Sequence, residues 1–245
     1  MYFNWNTNES VEPSGEYKNI KYSCHKFPKD QINTYKHIVY LDIEPTGKFL
    51  VNYNSDYQIP KIREFALVVS ESLNESLERI VKKKNLIRIN NVWTDKIDNV
   101  RLNDYFQIRL NNFAVLVFNH DMALEIFYEI LLIKQILFVG HNAFTFDFPI
   151  LFAWLFKNPV NCFYKNYFCD SLQLLNGKGT NLKKFIEYAQ YNLPISLFSI
   201  MTELEHSALC DSDMLSVWFK DHIQTANAVS GTVLLSLYRN NVLAR

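Results

Sequence analysis

The sequence carries no excess of charge: 25 Lys and Arg balance 25 Asp and Glu. Without a global basic field, a protein that coats long duplexes is disfavoured, although a grip on a few nucleotides is not. Cysteine is sparse. Cys24, Cys162, Cys169 and Cys210 make no C-x-x-C pair, so a disulfide framework is not expected and free thiols in a reducing compartment are. Cys24-His25 has no second close pair with which to build a zinc site. Glycine is scarce while Asn and Lys are frequent, a bias that fits an AT-rich coding sequence better than a function. An apolar signal core is missing from the polar, Asn-rich stretch 1–22. The one long apolar stretch, 136–156, is interrupted by His141, Asn142, Asp147 and Pro149, and a mid-bilayer Asp alone costs about 2.5–3.5 kcal/mol. It reads as a buried strand, a polar turn and a helix.

What is abundant is aromatic: 19 Phe and 14 Tyr in 245 residues, enough for a well-packed interior. Residues 1–35 read as a polar leader and 36–245 as a single domain. Strands are expected at His37–Glu44 and Ile62–Val69, ended by Pro45-Thr46-Gly47 and preceded by Pro60 respectively. The segment 70–112 gives a weaker signal, with one strand near 86–89. Residues 120–133 show helical spacing, with Leu124, Phe127, Ile130 and Leu131 on one side. A strand at 136–140, a helix from about Phe146 and a strand at 167–169 follow, then helices at 182–191, 208–220 and 228–238. Strands first, then β-α-β alternation, then helices indicate an α/β sheet with helices against it.

Three pieces of this pattern carry chemistry. Asp42 and Glu44 lie two apart on a strand, so both carboxylates leave the same face near its C-terminal end. Paired carboxylates there repel unless a cation holds them, and oxygen ligands suit Mg²⁺ or Mn²⁺. Taken alone, they would read as exposed strand-end acids. Next, Gly140-His141-Asn142 forms a turn leading to Asp147, which falls at a helix N-terminus, where an ionised carboxylate is favoured. Last, His206 and Asp211 are five apart, which does not share a face of one continuous helix but can converge across a helix entry.

Together, in this order, the three pieces resemble the DEDDh exonuclease superfamily, and within it the three-prime repair exonuclease branch. The D-x-E-x-T-G motif is matched by Asp42 to Gly47, the G-H-N turn and later Asp by Gly140, His141, Asn142 and Asp147, and H-x-x-x-x-D by His206 and Asp211. The likeness spans about residues 37–220. Lys48 stands where the family often has a Leu wedge, leaving Phe49 or Leu50 for that role. A proline-rich insert and a membrane tail, known in the branch, are not seen.

The resemblance implies a ribonuclease H-like mixed five-stranded sheet flanked by helices. It also implies a 3′→5′ exonuclease that releases mononucleotides from nucleic-acid 3′ ends. Asp42, Glu44, Asp147 and Asp211 would hold two Mg²⁺ or Mn²⁺ ions, with His206 as general base. Thr46, Gly47, Phe49, His141 and Asn142 would contact the terminal nucleotide. For His141 a structural role in the turn is equally open. Asp170 reads as a helix cap rather than a ligand, and Lys82-Lys83-Lys84 as a solvated face. DNA, single-stranded or frayed, is the expected substrate. An exoribonuclease, a polymerase-associated proofreading subunit and an inactive nucleic-acid-binding scaffold are the alternatives. An intracellular location without a membrane partner is expected, and a homodimer is left open.

Overall fold

A computed structural model describes residues 14–17, 20–26, 35–45, 62–90, 105–110, 113–117, 119–133, 135–143, 146–148, 150–151, 166–174, 207–225 and 233–239. The fold is α/β, a mixed sheet flanked by helices. Its strands are β1 (Ser14–Tyr17), β2 (Ile20–Lys26), β3 (His37–Pro45), β4 (Ile62–Val69), β5 (Ile87–Asn90), β6 (Tyr105–Leu110), β7 (Phe113–Val117), β8 (Ile136–Gly140), β9 (Tyr167–Asp170) and β10 (Val233–Arg239). The helices are α1 (Asn74–Lys83), α2 (His120–Leu131), a single turn α3 (Ser171–Leu174) and α4 (Ala208–Thr225).

The sheet order is β1-β2-β10-β9-β8-β3-β4-β6-β7-β5. At its centre β3, β8 and β9 run parallel, while β4 is antiparallel to β3. The C-terminal ends of β3, β8 and β9 therefore open on one edge, where α/β sheets commonly bind ligands. The central strands are apolar on both faces because helices cover both. Val39, Leu41 and Ile43 face a core shared with Leu77, Ile80 and Val81 of α1 and Ile126, Phe127 and Ile130 of α2. Tyr40, Leu137, Val139 and Cys169 face Leu209, Leu215, Trp218 and Phe219 of α4.

Local sequence explains most of these elements. The amphipathic α1 buries Leu77, Ile80 and Val81 at helical spacing, with Glu75 in its first turn and Lys82 and Lys83 in its last. The Asn119 side chain caps α2 by accepting from the backbone N–H groups of Asp121 (2.8 Å) and Met122 (3.1 Å). All four residues expected on the inner side of α2 are buried.

One expectation changes. The segment 228–238, read as a helix, overlaps β10, hydrogen-bonded to β2 on one side and β9 on the other. Short apolar runs do not separate helix from strand by period, and two open strand edges on either side decide the matter here. Around the central β3, β4, β8 and β9, the sheet among the described residues runs through ten strands. Two of these, β1 and β2, lie within the segment read as a leader, and β10 joins them to β9. The expected helix at 182–191 lies outside the described residues. No helix among the described residues is long and apolar enough to cross a membrane.

Candidate metal centre

Asp42 and Glu44 leave β3 on the face that carries Tyr40, the face covered by α4. That side of the sheet is where Asp211, in the first turn of α4, arrives. One oxygen from each of Asp42, Glu44 and Asp211 lies within 4.8 Å of the other two. A small hard cation with oxygen ligands at about 2.0–2.1 Å spans roughly 4 Å between opposite ligands, so a slight closure of these side chains would suit one ion. Asp213, the nearby rival to Asp211, is buried but stands outside this group.

Asp147 belongs to the same neighbourhood through the backbone. The β3–β8 pairing ends at Tyr40 and Val139, and β8 itself ends at Gly140, paired with Asp170 of β9. The Ile43 N–H is met by the Asp147 carboxylate, which accepts it at 2.9 Å. Packing of Phe148 edge-on against Phe168, with ring centroids 5.3 Å apart, holds this segment to the sheet. Gly140 is needed for space: a Cβ there would overlap the Ala143 methyl group and lie 3.7 Å from the Phe148 ring.

Electrostatics mark the cluster. Burial raises the Asp42 carboxyl well above the usual carboxylate range, and Asp147, Asp211, Glu44 and Glu64 add to the effect. Asp147 is likewise raised by burial and by Asp170, against the opposing hydrogen bond from Ile43. Such a site favours either protons or a cation. The Cys210 thiol is pushed up by burial and by Asp211, Asp213 and Asp42, so it remains protonated beside them. With oxygens as the available anionic donors, the set fits Mg²⁺ or Mn²⁺ better than a thiolate-seeking metal.

The remaining expected residues divide. His141 is half-buried, and its Nδ1 lies 2.9 Å from the Ser171 hydroxyl, a contact that ties the β8 turn to the start of α3. Asn142 is exposed, with a left-handed backbone at φ 54° that suits Asn. Asp170 accepts from the Leu172 N–H at 2.9 Å, the capping role expected of it. Lys83 and Lys84 pair with Glu129 and Glu125 of α2. Thr46, Gly47, Phe49 and His206 lie outside the described residues.

Two residues of this neighbourhood escape the motif reading. Glu64 is buried on β4 directly opposite Glu44, and the Arg63 guanidinium stands 3.4 Å from Glu64 and 3.9 Å from Glu44. The available signal was a charged Arg-Glu pair inside an otherwise apolar strand. No family model, curated protein or solved structure matches the chain.

Proposed function

We propose that the protein is a metal-dependent 3′→5′ exonuclease that removes mononucleotides from nucleic-acid 3′ ends, with DNA as its main substrate. The observation that carries this reading is the convergence of Asp42, Glu44 and Asp211 within 4.8 Å. It joins the first and third motifs of the DEDDh resemblance across 169 residues of sequence. Asp147, bonded to the residue between Asp42 and Glu44, brings in the second. The four central strands with helices on both faces support a ribonuclease H-like arrangement, whose fifth strand would come from beside β4 or β9.

In this reading Asp42, Glu44 and Asp211 hold the ions, and Asp147 completes the set from the helix N-terminus. Two bound Mg²⁺ or Mn²⁺ ions would supply a nucleophilic water at neutral pH and charge stabilisation at the leaving 3′ oxygen. His206, five residues before Asp211, would take the proton from the attacking water, its free pKa near neutrality suiting that task. Asn142 would contact the terminal nucleotide from the β8 turn, with Thr46, Gly47 and Phe49 beyond β3. His141 would stand behind that turn through Ser171.

The test is digestion of 5′-labelled single-stranded DNA and matched RNA with Mg²⁺, Mn²⁺ or chelator, beside Asp42→Ala. A ladder shortening from the 3′ end, abolished by chelator and by the substitution, is the expected result, faster on DNA. Faster shortening of RNA would make the protein an exoribonuclease. Intact polymers that the protein still binds would make it a scaffold and overturn the reading.

A further inference from the structure

Glu64 is 7% exposed, yet both of its carboxylate oxygens have partners. Oε2 accepts the backbone N–H of Ala208 at 3.2 Å, and Oε1 faces Arg63 Nη2 at 3.4 Å. Ala208 is the first residue of α4, and the Ser207 carbonyl accepts the Asp211 N–H at 2.9 Å. Ser207 thus stands at the N-cap, and the Ala208 N–H is one of the donors that a helix start leaves without an internal partner. A carboxylate 144 residues earlier, on a neighbouring strand, satisfies it. Asp211 follows one turn later.

Arg63 and Glu64 are successive residues, and on a regular strand their side chains would leave opposite faces. The β3–β4 register shifts between Glu44, opposite Glu64, and Pro45, opposite Ile62. Arg63 is left without a cross-strand partner, and its guanidinium reaches Glu44 as well as Glu64. Bulges are known to re-aim side chains in this way.

We infer that Glu64 is a positioning residue that caps α4 from β4 and so sets Asp211 against Asp42 and Glu44, with Arg63 as the shared counter-ion of Glu44 and Glu64. Glu64 acts here through the helix start rather than through the ion, its two carboxylate oxygens being engaged by the Ala208 N–H and by Arg63. The inference rests on the metal-centre reading above. It differs from a purely stabilising role in one respect: loosening the cap must weaken ion binding in protein that remains folded.

Mn²⁺ binding to the full chain, followed by electron paramagnetic resonance titration and calorimetry, tests this without nuclease activity. Glu64→Ala is expected to weaken Mn²⁺ affinity about tenfold or more, as supporting partners of metal ligands do. Ala208→Pro removes the donor but keeps the carboxylate, and proline is well tolerated at the first helical position. It should weaken binding similarly. Glu64→Gln keeps an oxygen able to accept the Ala208 N–H and should stay close to wild type. On an Asp211→Asn background, Glu64→Ala should cause no further loss. Wild-type affinity in folded Ala208→Pro or Glu64→Ala would overturn the inference while leaving the metal centre standing. If Glu64→Ala does not fold, Ala208→Pro against Glu64→Gln decides. Failure of the wild-type chain to bind Mn²⁺ would instead remove the metal-centre reading, and this inference with it.

Discussion

Asp147 accepts the backbone N–H of Ile43 at 2.9 Å, so the carboxylate expected from the second motif is fastened to the residue between the two acids of the first. Both groups are buried, and a buried backbone donor deprived of its acceptor costs about 1–3 kcal/mol. Asp147→Ala should therefore be less stable than Asp147→Asn by about that amount in chemical denaturation. Asp147→Asn retains an oxygen for Ile43 and, lacking the buried charge, should fold at least as well as wild type in chelator, while losing metal-dependent cleavage. Equal stability for the two variants would show that the hydrogen bond contributes nothing.

Asp42, Asp147 and Glu64 all have carboxyl groups raised above their ordinary values, chiefly by burial. For an acid raised in the folded state, the stabilising contribution is complete below about pH 4 and is lost as pH rises through the raised value. In chelator, the melting temperature should fall between pH 5 and pH 8, and Mg²⁺ or Mn²⁺ should restore it at pH 8. Asp42→Asn should flatten the dependence and stabilise the chelated protein at pH 8. His37 acts in the opposite sense. Burial and Lys36 lower its pKa, so its contribution is present above about pH 6.5 and lost as pH falls. Three acids against one His should leave the net slope downward, and an upward slope would refute the assignment.

Gly140→Ala should destabilise the protein by about 1–3 kcal/mol, the usual range for overpacking, because the new methyl overlaps that of Ala143. Adding Ala143→Gly removes the obstructing group and should recover most of the loss. Thermal melts of the single and double variants measure this, and an unrecovered double variant would place the strain elsewhere.

Asn142 separates backbone from chemistry. Its φ of 54° is one that glycine adopts freely, so Asn142→Gly should keep the backbone of the turn unstrained. If the side chain touches the terminal nucleotide, the same variant should raise KM for cleavage. An unchanged KM would leave Asn142 only its turn.

Lys84 pairs with Glu125 and Glu129 on α2, which makes it a poor phosphate contact. Lys84→Ala should lower the melting temperature slightly in low salt and not in 1 M salt, where surface pairs are screened. Oligonucleotide affinity should not change. A clear loss of affinity would return the lysine run to the nucleic-acid interface.

The sequence alone determined the central frame, because local signals there agree with one another. The strands at 37–44, 62–69 and 136–140 carry β-rich apolar runs bounded by turn residues, and the helix at 120–131 keeps its period and its Asn119 cap. The same-face geometry of Asp42 and Glu44 follows from strand alternation. Capping by Asp170 was legible too, since its partner is two residues away. Tertiary structure decided whatever depends on distant partners. A helical reading of 228–238 gave way to β10 because β2 and β9 offer open edges there, which no local window contains. Glu64 looked like an ordinary strand acid until α4 brought the Ala208 N–H to it across 144 residues. Asp211 meets Asp42 and Glu44 for the same reason: helix α4 packs on the face from which their side chains project.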